Sequence, residues 1–163
     1  MRPLTFQEIN ALWQQKAEME PEDIPQFVEA IGHKQPYIVG YLLAAGDEIL
    51  GQSEREVIFF IGVMVLYIID SLEITLPEIS LESLMENEEK NYKMLEYLSG
   101  EPESQFLDTV DAIMGSYNQS VLLKYIIDKI MEEPEKGVEL VDNHLGIMAI
   151  YLKTVLDCLD STT

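Results

Sequence analysis

Thirteen consecutive residues without a charge, Val57-Ile58-Phe59-Phe60-Ile61-Gly62-Val63-Met64-Val65-Leu66-Tyr67-Ile68-Ile69, dominate the chain, closed at one end by Glu56 and at the other by Asp70. A helix that is apolar on every side has to be surrounded by protein or by lipid. At 1.5 Å per residue the run reaches only about 20 Å, short of a hydrocarbon core of roughly 30 Å. A buried core helix is therefore expected, in a cytoplasmic, soluble protein. No apolar leader follows Met1-Arg2-Pro3, so no export signal is read.

Start and stop signals place eight helices, the central one included. Thr5-Phe6-Gln7-Glu8 has the capping-box spacing and opens a helix over about 5–19. Others are predicted over 24–33, 36–50 (with Pro36 at its first position), 53–72, 80–98, 103–115 and 118–132. A last helix begins near Val138 or Asn143 and ends near Asp160. Period-two alternation and hairpin turns are both missing from the sequence. The fold class is all-α, one domain over 1–163.

The central run has an echo. Leu145-Gly146-Ile147-Met148-Ala149-Ile150-Tyr151-Leu152 reads against Ile61–Ile68 with Gly, Met and Tyr in register, an offset of 84. The same offset sets Gln35–Leu43 on Gln119–Ile127, and slightly smaller ones pair Val28–Ile31 with Val110–Ile113 and Glu20–Glu22 with Glu101–Glu103. The expectation is a four-helix unit used twice, about 5–76 and 80–160, packed with pseudo-two-fold symmetry. Glycine inside a helix costs roughly 0.5–1 kcal/mol relative to alanine. Gly62 and Gly146 are accordingly expected where the fourth and eighth helices cross.

Thirty acidic against ten basic side chains give a formal charge of −20. It is spread evenly, with fourteen acids and four bases up to Glu82 and sixteen and six after it. Nucleic acid and anionic membranes are excluded as partners by this coat, because both need a cationic footprint. A protein partner is expected, and a second copy of the chain is compatible with the same pattern. The single cysteine, Cys158, rules out an internal disulfide and suits a reducing compartment.

Neither histidine, His33 nor His144, has an acid three positions before it, so the Glu-x-x-His pairs of helical di-metal sites are missing. The acids Glu82, Glu86, Glu89 and Glu96 read as a solvated helix face, with Glu86–Lys90 and Glu89–Lys93 at i, i+4. No nucleophile elbow, P-loop or zinc motif occurs, and no catalytic residue, metal or cofactor is assigned. The most suggestive set is aromatic: Tyr41 pairs with Tyr125 and Tyr67 with Tyr151 across the repeat, with Met64 and Met148 one turn before the second pair. These six are the candidate lining of a ligand pocket between the units, with Asp70 or Asp128 as hydroxyl partners. Trp13 is the candidate interface residue. The leading functional expectation is a non-enzymatic interaction or regulatory protein. The alternative is a small-molecule-binding domain with that tyrosine and methionine pocket, and a third is an enzyme using helix-borne carboxylates.

Overall fold

A computed structural model describes residues 1–100, 102–137 and 144–161, without the side chains of 103–107, 109, 110, 135 and 136. Among the described residues the chain is all-helical and carries no strand. Its helices are α1 (Phe6–Ala17), α2 (Ile24–Lys34), α3 (Pro36–Ala44), α4 (Gln52–Ser71), α5 (Leu81–Ser99), α6 (Glu103–Ser116), α7 (Ser120–Glu132) and α8 (Leu145–Asp160). The expected start of the last helix at Val138 or Asn143 lies outside the described residues. No helix among the described residues is long and apolar enough to cross a membrane.

The caps follow the sequence signals. Thr5 Oγ1 accepts from Glu8 N–H while the Glu8 carboxylate accepts from Thr5 N–H, closing the predicted box. Ser80 Oγ accepts from Ser83 N–H at the start of α5. At the start of α4 Glu54 reaches back to accept from Gly51 N–H at 3.0 Å. Glu54 is buried and also meets His144 Nδ1 at 2.9 Å, across from the start of α8.

α4 lies at the centre, packed against α1, α2, α3, α7 and α8, which is how a helix without a polar face is accommodated. α8 is enclosed by α4, α5 and α7. Its polar residues Lys153, Thr154 and Asp157 are largely covered. Asn91 of α5 donates to Thr154 Oγ1 at 3.0 Å and Asp157 Oδ2 at 2.9 Å, and Lys153 Nζ donates to Asn91 Oδ1 and Asp157 Oδ2, both at 2.9 Å. Tyr117 donates to the other Asp157 oxygen. Every polar group there has a partner, which is the condition for burying such groups without a large cost.

Two expectations about glycines need correction. A Cβ on Gly62 would lie 2.5 Å from Leu42 Cδ1, so the close approach at Gly62 is made by α3. Gly146 is exposed, and a Cβ there would meet only Leu95 Cδ1 of α5, at 3.3 Å. The fourth and eighth helices do pack together, but through side chains rather than through these glycines.

The third helix stops at Ala44 rather than running to residue 50. Gly46 takes φ +73° and has the Leu50 side chain pressed where a Cβ would be, 2.5 Å away. Leu50 N–H donates back to Gly46 C=O at 2.7 Å. The apolar spacing of Ala45 and Ile49 hid this turn, and it shapes the recess described below.

α4 ends in a Schellman turn. Ile74 N–H donates to Ile69 C=O and Glu73 N–H to Asp70 C=O. Glu73 occupies the left-handed position at φ 57°, where glycine is normal. Glu73→Gly is therefore predicted to raise stability by about 0.5–1 kcal/mol. Urea titration checks this; an unchanged or lower midpoint would show that the Glu73 side chain itself holds the turn.

The segments leading into α1 and α5 are held alike. The buried Gln119 donates from Nε2 to Arg2 C=O at 2.7 Å and accepts Leu4 N–H at Oε1, 3.2 Å. The buried Gln35 donates to Pro77 C=O at 2.9 Å and accepts Ile79 N–H at 2.9 Å. Each glutamine directly precedes its helix, α7 or α3, and each clasps the segment that enters a helix of the other half of the chain.

Candidate functional site

The six pocket candidates do not converge on one cavity. Met64 and Met148 are fully buried core side chains. Tyr67 stacks edge-on to Phe27 with centroids 5.4 Å apart, and Lys16 Nζ lies 4.6 Å and 5.0 Å from those two rings. Tyr125 sits against Trp13 at 5.5 Å and Phe6 at 5.8 Å, under Lys129 Nζ at 5.1 Å, and donates to Asn10 Oδ1. Trp13 is itself 5% exposed, packed between Phe60 and Tyr125, so the residue nominated for an interface belongs to the core. Neither Asp70 nor Asp128 serves a tyrosine: Asp70 pairs with Lys34 and Asp128 with Lys124.

Tyr41 and Tyr151 do come together, joined by Tyr92, which the sequence reading passed over. The Tyr41–Tyr151 centroids are 6.3 Å apart with planes at 70°, and Tyr92–Tyr151 are 6.1 Å apart at 82°. Tyr92 and Tyr151 share a hydroxyl–hydroxyl hydrogen bond of 2.6 Å, and Tyr41 donates to Glu88 Oε1 at 3.0 Å. The three rings floor a half-open recess of about 300 Å³ between the α3–α4 turn, α5 and α8. Ala45, Asp47, Glu48, Met85 and Glu88 complete its walls, with Ile49 at the lip. Met85 and Ile49 are exposed, while Tyr41 and Tyr151 are buried. α3 ends at Ala44, and the turn that follows sets Ala45 to Ile49 along one side of the recess.

Comparison with protein-family models, with curated proteins and with solved structures found no match for this chain. Its function is argued from geometry alone.

Two other cavities frame the choice. The larger, about 560 Å³, lies at the C-terminal ends of α2 and α4 and is bounded by Ile31, Lys34, Leu66, Asp70, residues 73–76 and Leu159. The Lys34–Asp70 ion pair already occupies its polar side. The second is a groove of about 280 Å³ among α5, α6, α7 and α8, lined by apolar side chains such as Met94, Leu98, Met114 and Ile150. Of these three cavities among the described residues, the recess is the one that joins aromatic faces to several carboxylates. No group of three or more His, Cys, Asp or Glu side chains suited to a metal ion occurs among the described residues. His33 lies 3.8 Å from Glu29 and His144 bonds Glu54, so the two histidines meet different glutamates.

Cys158 is fully buried, and its thiol is pushed up by that burial, partly opposed by hydrogen bonds from Ser83 and Asn87. The phenols are affected in the same direction. Burial raises Tyr41, Tyr117 and Tyr151 above the ordinary phenol value; the Glu88 carboxylate adds to this at Tyr41, Asp157 at Tyr117, and the hydrogen bond shared with Tyr92 at Tyr151. The folded state thus keeps protons that the unfolded chain releases from about pH 10. Their stabilising contribution is complete below that pH and is lost as pH rises toward the folded-state values. A phenolate absorbance titration should show part of the eight tyrosines ionising near pH 10 and the rest only as helicity is lost. All eight ionising together with the helix signal intact would contradict this burial.

Proposed function

We propose that the chain acts by binding rather than catalysis, as a helical interaction or regulatory protein whose recognition site is the tyrosine recess. Supporting this is one observation: three tyrosine rings, Tyr41 and Tyr92 both steep to Tyr151, and three carboxylates line a cavity of about 300 Å³. Apolar walls with a few convergent polar groups are the usual composition of a small-molecule site. Of the two binding readings the small-molecule one is favoured, with the pocket built on Tyr41 and Tyr151 rather than on all six candidates. Tyr67, Tyr125, Met64 and Met148 then serve the core.

The same proposal includes the duplicated architecture. In its favour α1 packs on α4 as α5 does on α8, α3 on α4 as α7 on α8, and α3 on α5 as α7 on α1. The two glutamine clasps repeat this exchange with Arg2 and Leu4 offset by 75 residues from Pro77 and Ile79. A ligand in the recess touches the α3–α4 turn of the first unit and α5 and α8 of the second. Binding would therefore tie the units together, which gives a regulatory role a physical basis. The charge of −20 keeps nucleic acid and membrane surfaces out of the proposed partners, and cytoplasmic placement belongs to the proposal too.

The test uses the protein labelled at its methionine methyl groups. A small-molecule fragment library is screened by NMR, with Met85 at the wall of the recess as reporter. Hits are expected to shift Met85 and to lose that effect in Tyr92→Leu. A library that leaves Met85 unperturbed would overturn the recess as a recognition site.

A further inference from the structure

We infer that the recess binds a small organic cation, an alkylammonium or quaternary ammonium group lodged against Tyr41, Tyr92 and Tyr151. This rests on the recess being the ligand site and adds the chemical class of the ligand. The argument starts from the other aromatic clusters. Phe27 and Tyr67 have the Lys16 ammonium over them, Trp13 and Tyr125 have Lys129, and Tyr117 has Lys153, all within 5.4 Å of a ring centroid. A cation over an aromatic face is drawn to the negative face of the ring quadrupole. Among the described residues no lysine or arginine makes such a contact with Tyr41, Tyr92 or Tyr151, although this cluster is the one with Asp47, Glu48 and Glu88 on its walls.

The reason for the vacancy over these rings can be read from the repeat. At the offset of 84 that sets Tyr41 on Tyr125, the residue matching Lys129 is Ala45. Lys129 reaches over the Tyr125 ring from one turn further along its helix. Ala45, one turn beyond Tyr41, ends at its methyl and forms part of the wall of the recess. One half of the chain thus supplies its own ammonium to the tyrosine, and the other half leaves a space of about 300 Å³ in the corresponding place.

Charge completes the case. Glu88 accepts the Tyr41 proton at one oxygen, and a carboxylate has further lone-pair positions for a second donor. Asp47 and Glu48 are exposed at the mouth. The overall charge of −20 draws cations toward any concave site. An anion is repelled by both the ring faces and the carboxylates, and a neutral apolar ligand packs on the rings but gains nothing from the carboxylates.

Calorimetric titration of the intact protein at fixed ionic strength tests this with choline, tetramethylammonium and butylammonium, and with 3,3-dimethylbutan-1-ol, the uncharged isostere of choline. At least one cation should bind 1:1, with choline about tenfold or more tighter than its isostere, as expected for a cation–ring contact that is partly desolvated. Tyr92→Leu and Glu88→Gln should each weaken binding by about tenfold. Ala45→Lys should abolish it by placing the chain's own ammonium over the rings, with circular dichroism confirming that each variant is folded.

The isostere binding as tightly as choline, with loss in Tyr92→Leu, would overturn the cation assignment while leaving the recess as a ligand site. Cation binding that ignores Tyr92→Leu and Glu88→Gln would be a diffuse ion atmosphere and would overturn it also. No saturable binding of any probe rejects the cation, and an unperturbed Met85 in the fragment screen separately rejects the site.

Discussion

Gly62→Leu is expected to destabilise the protein by about 1–3 kcal/mol, the usual cost of overpacking a filled core, whereas Gly146→Ala should be neutral or up to about 0.5 kcal/mol more stable. The contrast comes from what each position faces. A methyl on Gly62 would already lie 2.5 Å and 2.6 Å from the two Leu42 methyl carbons, and Leu42 is 1% exposed, so its side chain has little room to turn away. At Gly146 one Leu95 methyl at 3.3 Å has to yield slightly, at an exposed site. Alanine there also gains the helix propensity that glycine lacks. Because the positions face different neighbours, the combined variant should be additive within about 0.5 kcal/mol. Denaturant unfolding of the three variants decides it. Equal losses at both sites with strong non-additivity would restore the glycine-to-glycine crossing read from the sequence and reject the packing of α3 on Gly62.

That case shows where sequence reasoning reaches and where it stops. The apolar run 57–69 announced a surrounded helix, and α4 is surrounded. Thr5, Ser80 and Pro36 announced helix starts because their local chemistry is complete within four residues. Gly62 announced a close approach and was right in that, but a glycine does not name its neighbour. The neighbour depends on where α3 lies, and α3 lies where the Gly46 turn puts it. The same turn forms one side of the recess. The sequence reading therefore reached two of its rings, Tyr41 and Tyr151, and passed over the third. Tyr92 sits on the most polar helix, where nothing in its immediate neighbours marks it out. Only the fold brings its hydroxyl to 2.6 Å from that of Tyr151. The polar residues of α8 misled in the opposite direction: Lys153 and Asp157 look solvated until Asn91 and Tyr117 arrive from other helices to pair with them.

The glutamine clasps carry the other large expected effect. Gln119→Met keeps the length and approximate volume of the side chain but removes the amide's bonds to Leu4 N–H, to the Arg2 and Met1 carbonyls and to Asp160 Oδ1. Leu4 N–H is then left unpaired in a place where Leu4 is 2% exposed, and the Arg2 carbonyl loses its donor. An unsatisfied buried group costs about 1–3 kcal/mol. The Arg2 side of the clasp is nearer to solvent and recovers part of its loss, so about 2–3 kcal/mol is expected in total. Gln35→Met makes the same two breaks, at Ile79 N–H and the Pro77 carbonyl, with Ile79 at 4% exposed. Gln119→Met should cost as much as Gln35→Met or more if the two halves are duplicates that kept one device, because Gln119 Nε2 also loses Asp160 Oδ1 and the Met1 carbonyl. Each clasp is also a bond between halves: the glutamine before α7 holds the segment entering α1, and the glutamine before α3 holds the segment entering α5. Losing either should thus lower the global unfolding midpoint rather than fray one end, and hydrogen exchange at Leu4 and Ile79 separates the two outcomes. A large loss in one variant beside a negligible one in the other would mean that the clasps are not equivalent. The duplication would then rest on the sequence echo and on the parallel packing of the helices.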